Sequence, residues 1–398
     1  MLGENTAQTR RTFLRTVGVA GLAGVAVPSG ARTGRASYET ITVPDDRSTI
    51  QAAVDDAEPG TLVLLEPGTY EESVEVATPE LTIRGTDRNG VVMDGGFDRD
   101  HGFAVEADGV ALENVTARHY RVNGFYWRTV DGFRGSYLTA YNNGDYGVYA
   151  YRSRDGRFEH SYASGHVSAG FYLGRNHPFE AVIENVVAEH NNLGYSGTSA
   201  GGDLTIRDST WRYNRAGIVP NTLDDLDPPQ ESNRIVNNEV SENHNAEAPA
   251  KELTYPAFGT GILLWGGLDN LVEGNDVCDH ENFGIAVEPN VVEPSGNVVR
   301  ENDVGGSGVA DLALGRPAGD GNRFAGNEFR SSLPPDVETD ASDGDDRVTA
   351  VYEDQEERAE GDVAAGDWRD QPTPDDRPTM PDPEGPPRPA EKGASWET

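Results

Sequence analysis

A glycine followed by an apolar residue recurs at Gly102, Gly124, Gly147, Gly170, Gly194, Gly217, Gly261 and Gly284. The intervals are 22, 23, 23, 24, 23, 44 and 23 residues. A period of that size marks a repeat architecture, in which each unit buries its apolar face only by stacking on the next. Between the glycines lie short alternating runs such as Gly-Phe-Ala-Val-Glu at 102–106 and Gly-Ile-Leu-Leu-Trp at 261–265, broken by Asn, Asp and Gly, with no sustained 3.6-residue period. The repeat is therefore β. Three short strands and three turns in each period describe one coil of a right-handed parallel β-helix, successive coils lying about 4.8 Å apart. We expect an all-β, single-stranded solenoid of about ten coils over residues 37–330, with the 44-residue interval forming one coil plus a long loop.

Aligning the periods gives a column of Asn114, Ser136, Ser161, Asn185, Ser209, Asn238, Asn275, Asn302 and Asn327. It predicts a polar ladder that satisfies turn backbone inside the solenoid. Two residues further on, Thr116, Leu138, Ala163, Val187, Trp211, Val240, Val277 and Val304 form a mostly apolar column expected to face inward. Asn114 also begins the sequon Asn114-Val115-Thr116, but its place in the ladder favours a structural role over a glycan.

The segment that enters the repeat reads Ser-Thr-Ile-Gln-Ala-Ala-Val-Asp-Asp-Ala at 48–57, Pro-Gly-Thr-Leu-Val-Leu-Leu at 59–65 and Glu-Pro-Gly-Thr-Tyr-Glu-Glu at 66–72. Ser48 is placed to cap a short helix whose Ile50, Ala53, Val54 and Ala57 plug the open end of the cylinder. This pattern, over roughly residues 41–330, resembles the β-helix family that includes pectate-lyase-like enzymes and NosD-type periplasmic proteins. The resemblance specifies fold better than activity, because the scaffold hosts lyases, hydrolases, epimerases, esterases and non-enzymes.

Residues 1–36 carry Thr-Arg-Arg-Thr-Phe-Leu-Arg at 9–15 and an uncharged run from Val17 to Val27, similar to a twin-arginine export signal and too short to span a membrane. A secreted or cell-surface protein is expected. Residues 331–398 hold 20 acidic residues, 6 basic residues and 10 prolines, which predicts a disordered tail. Net charge is −36, with 2 lysines against 30 arginines, a balance suited to high salt and unsuited to nucleic acid or anionic lipid. The single Cys278 excludes an intramolecular disulfide.

Counting two residues on from the repeat glycine gives Tyr126, Tyr149 and Tyr172 on three consecutive coils, followed by Arg128, Arg152 and Arg175. Five residues after the ladder column stand His119, Tyr141, His166 and His190, with His280 at the equivalent place further on. Stacked tyrosines offer flat faces to sugar rings, arginines match carboxylates or sulfates, and His with Tyr can move protons. We therefore expect a monomeric protein that binds or modifies an acidic polysaccharide or cell-surface glycan. For uronate lyase or C5-epimerase chemistry, His166 or His190 would be the base, Tyr149 or Tyr172 the acid and Arg152 or Arg175 the charge neutraliser. Tyr126, Arg128, His119 and Tyr141 would line the same groove. Asp224, Asp225 and Asp227 crowd one loop as a calcium candidate, and the histidine column is a candidate for copper. The alternative is a non-catalytic surface β-helix for glycan binding or NosD-like metal handling.

Overall fold

The computed structural model describes residues 38–177, 180–224, 227–251, 256–341, 343–359 and 364–390. The twin-arginine segment lies outside them. Among the described residues the chain winds into a three-faced parallel β-helix, with sheets of 12, 11 and 10 strands. Each coil visits the faces in the same order. Glu-bearing Val110–Glu113 belongs to the first sheet, Thr116–Arg118 to the second and Asn123–Arg128 to the third. The coils number about 12 rather than ten, because entry strands such as Thr40–Val43 and Leu62–Leu65 form coils without the repeat glycine. The interval from Gly217 to Gly261 is one coil, with strands Ala216–Asn221, Glu231–Val236 and Glu239–Ser241 separated by longer loops.

Helix α1 (Ile50–Asp56) closes the first coil with Ile50, Ala53 and Val54 buried. Its cap is Thr49 rather than Ser48: the Thr49 hydroxyl accepts from the Ala52 N–H. Glu72 adds a carboxylate that accepts from the N–H groups of Ile50 and Gln51.

Side chains form an amide ladder at each of the three corners, not at one. At the corner between the first and second sheets, Asn238 accepts the Trp211 indole N–H, and Asn275, Asn302 and Asn327 each accept a backbone N–H from the coil before, at 2.9–3.1 Å. Asn191, Asn214 and Asn243 do the same between the second and third sheets. Asn270, Asn297 and Asn322 complete the return to the first. The predicted column needs correction at its early positions. Asn114 and Asn185 sit one residue before the ladder in left-handed backbone, at φ 57° and 53°, where Asn is tolerated. Ser136 ends a strand of the first sheet. The apolar column shifts likewise, to Ala117, Ala140, Ala163, Ala188, Trp211, Val240, Val277 and Val304.

The repeat glycines follow from this interior. A Cβ on Gly147 would lie 2.6 Å from the Gly170 carbonyl oxygen and 2.7 Å from His166 Cε1, and one on Gly124 would meet the Gly147 carbonyl at 2.9 Å. Glycine recurs because the coil above occupies the space of a side chain.

The segment expected to be a disordered tail is ordered over most of its length. Helix α2 (Asp346–Ala359) lays Val348 and Tyr352 on the outer face of the third sheet, against Leu263, Phe283 and Ala286. Residues 364–390 then run as an extended strap. Arg84, buried beside Glu113 at 2.6 Å, donates to the carbonyls of Pro383, Gly385 and Pro386. Asn114 Oδ1 accepts from Met380 N and Thr379 Oγ1, and the Arg377 guanidinium sits 3.6 Å over the Tyr162 ring. Composition misjudged this segment because its order comes from a few anchors and from donors on the body, not from its own apolar content. Burial also explains Asn114: its amide is enclosed and donates to the Gly85 carbonyl.

Asn275 accepts from the N–H and side-chain amide of Asn238 and donates to the carbonyls of Ile235 and Glu273 and to Asn302 Oδ1. Asn275→Ala leaves several of these groups buried without partners. A loss of ~3 kcal/mol is expected, measured as a shift of the denaturant midpoint; a variant as stable as the parent would contradict the ladder's structural role.

Candidate functional site

Strands Asn123–Arg128, Tyr146–Tyr151 and Ala169–Gly174 pair in parallel so that Tyr126, Tyr149 and Tyr172 stand in register on the outer face of the third sheet. The Tyr126 and Tyr149 rings stack with centroids 4.8 Å apart and planes at 22°, and Tyr149 meets Tyr172 at 4.8 Å edge to face. Tyr146 leans across both, 4.6 Å from Tyr149 and 4.7 Å from Tyr172. Burial raises the phenol pKa of all three column members above its ordinary value, so the floor is uncharged at neutral pH. In the next two coils Ser196 and then Val219 take the equivalent position. Beyond them α2 covers the sheet. Tyr126 and Tyr149 are thus the open part of the floor, bounded at one end by a docked helix, whereas Tyr172, expected to face solvent, is only 6% exposed.

The two margins of the floor are chemically different. Where the chain leaves the third sheet, Arg152 and Arg175 occupy left-handed corner positions at φ 49° and 57°. Arg152 lies 5.3 Å over the Tyr151 ring, Arg175 pairs with Asp224 at 2.6 Å, and the nearby Arg128 pairs with Glu106 at 3.1 Å. Arg152 and Arg175, with Arg154 and His177, border a polar cleft of about 470 Å³. At the opposite margin, where the chain enters the sheet, stand His101, Asp145, Ser168 and Lys251. Lys251 Nζ binds Asp145 Oδ1 at 3.0 Å, the Ser168 hydroxyl donates to the same carboxylate, and His101 lies 5.3 Å from the Tyr126 ring. His101 Nδ1 is buried with no hydrogen-bond partner among the described residues. Burial holds its pKa below the usual value, so the imidazole is neutral at pH 7.

These last residues were missed in the sequence. His101 and Tyr146 immediately precede repeat glycines, and Ala169, Leu193 and Ala216 at the same position also lie on the outer face. Reading the residue before each glycine, as well as the one two positions after it, would have found them.

The structure does not gather the expected histidines at the tyrosines. His166 is fully buried in the second corner ladder: Nδ1–H donates to Asn191 Oδ1 at 2.8 Å and Nε2 accepts from Asn143 Nδ2 at 3.2 Å. It cannot be a solvent-facing base. His280 fills the same ladder with the opposite tautomer, Nδ1 accepting from Asn243 N and Nε2–H donating to the Val240 carbonyl. His190 stacks on Tyr213 at 5.7 Å and meets Asn245, while His119 packs on Phe97 at 4.4 Å and binds Asp94. Both lie at the corner between the second and third sheets. Tyr141 belongs to the second sheet, where its hydroxyl accepts from Arg118. The proposed single site is therefore divided, with tyrosines on the face and arginines at one margin, while His190 and His119 sit at the other corner and His166 is inside.

Asp224 is engaged by Arg175, Asp227 lies in the same loop, and Asp225 falls outside the described residues. Among the described residues no group of three or more His, Cys, Asp or Glu is arranged to hold a metal ion. Copper fits this donor set no better. Both ring nitrogens of His166 and of His280 are committed to ladder bonds, and Cys278 has its thiol pKa pushed up to about 11, chiefly by burial. No helix among the described residues is long and apolar enough to cross a membrane.

Residues 103–342 match the family model described as periplasmic copper-binding protein (NosD). No curated protein matches the chain. Among solved structures, the A-module of Azotobacter vinelandii mannuronan C-5 epimerase AlgE6 is similar at 16% identity and a TM-score of 0.50, over 72% of this chain and 93% of that one. A mannuronic acid specific polysaccharide family 6 lyase from human gut microbiota is similar at 13% identity and a TM-score of 0.51, over 73% of this chain and 79% of that one. At such identities the likeness is one of fold.

Burial, opposed only in part by the bond to Asn191, pushes the His166 pKa down to about 4. Between pH 6.5 and 4 the unfolded chain binds a proton here that the native chain refuses, so acidification favours unfolding. The expected slope is about 1.4 kcal/mol per pH unit for this one group. His166→Asn keeps an amide in the ladder and removes the proton site. Denaturant midpoints of parent and variant from pH 7 to pH 4 are expected to diverge as pH falls, with the variant losing less; parallel curves would contradict the assignment.

Proposed function

The chain belongs to the NosD family, and from that premise we propose that it is an exported β-helix that binds an acidic polysaccharide along the tyrosine floor of its third sheet. The observation that carries this reading is the register-locked stack of Tyr126, Tyr149 and Tyr172. Ring edges and hydroxyls repeated at the coil spacing suit contiguous sugar rings, and the protonated phenols donate hydrogen bonds without adding charge. In a chain of net charge −36, an anionic polymer needs local cations. Arg152, stacked on Tyr151, supplies one, and Arg128, Arg175 and Lys251 can do so by exchanging their present partners Glu106, Asp224 and Asp145. The family description as periplasmic and the Arg10-Arg11 pair both support a location beyond the membrane.

The chemistry this geometry supports best is proton transfer at the carbon alpha to a uronate carboxylate, the step shared by β-elimination and C5-epimerisation. The imidazole beside the floor is His101, neutral and half-buried, and with Nδ1 enclosed its other ring nitrogen replaces His166 and His190 as the base. Tyr149 holds the proton that a phenol acid would deliver, and Arg152 stacks on Tyr151, whose ring lies 6.1 Å from that of Tyr149. A mannuronan epimerase and a mannuronic acid specific lyase use the same fold, which supports the scaffold's suitability and nothing narrower.

Titration of the protein with alginate, pectate and neutral dextran tests the reading. Saturable binding to an acidic polymer but not to dextran is expected. Tyr149→Ala should weaken it about tenfold, roughly 1.4 kcal/mol, with folding intact, and Arg152→Ala should weaken carboxylated chains selectively. Equal binding by Tyr149→Ala would remove the floor from the site. If turnover occurs, it appears as unsaturated uronate absorbance or a changed uronate epimer ratio, and His101→Ala abolishes it. For export, the Arg10→Lys, Arg11→Lys double variant is expected to remain in the cytoplasm; unchanged export would exclude the twin-arginine route.

A further inference from the structure

Away from the tyrosine floor, a cleft of about 450 Å³ opens between α2 and the corner of the second and third sheets. Its walls are Phe258, Pro256 and Val351, and its polar groups include Arg215 and Gln355. Arg215 is only 8% exposed, yet no carboxylate pairs with it among the described residues. Its Nη1 donates to the carbonyls of Ala246 and Ala248 at 3.0 and 3.4 Å, and the guanidinium plane lies 4.9 Å from the Phe258 ring centre. The other enclosed arginines spend more of their donors: Arg84 pairs with Glu113 and donates to three carbonyls, and Arg88 uses all three of its nitrogens on Thr139 and on the carbonyls of Leu138, His160 and Pro378. A cation left in this state, its remaining donors unspent, is an electrostatic vacancy in a strongly acidic protein. Across the cleft, Gln355 Nε2 donates to the Phe258 carbonyl at 3.0 Å, while its Oε1 is buried without a partner.

We propose that this cleft binds a small monocarboxylate carried on a hydroxylated ring. The carboxylate pairs with Arg215, the ring lies against Phe258 and Val351, and a ring hydroxyl donates to Gln355 Oε1. The volume accommodates one or two rings. At the exposed rim Asp354 is paired with Arg358 at 2.5 Å, and Glu281 opposes anions of higher charge and so favours a single carboxylate. Burial lowers the Arg215 pKa, a shift that a bound carboxylate reverses. The chemistry is shared by uronic acid monosaccharides and by aromatic hydroxy acids. The site is separate from the tyrosine floor and does not depend on the polysaccharide reading.

Calorimetric titration of the full chain with glucuronate and with 4-hydroxybenzoate, against glucose and phenol as uncharged counterparts, tests the proposal. One-to-one binding of at least one acid, more than tenfold tighter than its neutral counterpart, is expected, and the acid that binds identifies the source. Arg215→Gln should reduce it more than tenfold. Val351→Trp, which fills the cleft from a half-buried position on α2, should abolish it while leaving the thermal midpoint near that of the parent. Tyr149→Ala, on the open floor, should leave it unchanged. Failure of both acids to bind, equal binding of the neutral compounds, undiminished binding by Val351→Trp, or loss with Tyr149→Ala would each overturn the assignment.

Discussion

Every coil turns three corners, and at each one a backbone N–H points into an interior that water does not reach. An unpaired donor there costs a kilocalorie or more, repeated at every coil, so the solenoid stands or falls on an acceptor supplied by the next turn of chain. Asparagine meets the need because its oxygen accepts the N–H of the coil before while its amide donates to carbonyls of the same corner, as Asn275 does with Asn238, Ile235 and Glu273. Serine does so more economically at Ser161 and Ser209, whose hydroxyls accept from Leu138 N and Val186 N. Histidine does so at His166 and His280 only while neutral, so the pH range of the fold is written into the same ladders that hold it together.

Because the ladders fix each coil against the next, they also fix the outer face. Strand register leaves Tyr126, Tyr149 and Tyr172 no freedom to spread, and the corner positions that follow hold Arg152 and Arg175 in left-handed backbone. The recognition surface is a by-product of packing in this sense: its spacing is the spacing of the coils. Specificity must then come from the margins, where loops differ from coil to coil and where Lys251 and the Arg175–Asp224 pair enter.

Fold class and the tyrosine column were legible because both repeat with the glycines, whose cause is the close approach of successive coils at Gly124 and Gly147. The corner ladders were legible only where Asn and Ser alternate plainly. Counting from Asn114 misplaced its column by one residue, since Asn serves equally well in the ladder and in the left-handed position before it. That same offset, carried five residues forward, put His166 among solvent-facing groups when it belongs to an interior ladder. His101 escaped notice because it occurs once, in a column otherwise filled by Asn123, Tyr146 and Ala169. Arg215 was invisible for a different reason: its lack of a carboxylate partner is a property of surroundings that no spacing reveals.

The strap of residues 364–390 changes how the molecule must assemble. A bare solenoid has only neighbour-to-neighbour contacts, so its ends fray and it can wind up as it emerges from the ribosome. Here Arg84, Asn114, Asn142 and Tyr162, all in the first half, receive their last partners from Pro383, Met380, Gln371 and Arg377. The first coils are therefore finished by residues made more than 200 positions later. Sequence separations of 229 to 301 residues for the hydrogen bonds make this closure the slowest kind of contact to find. Once closed, it ties early coils to a segment beyond the last coil and converts fraying from the first coil into an event that must also release the strap.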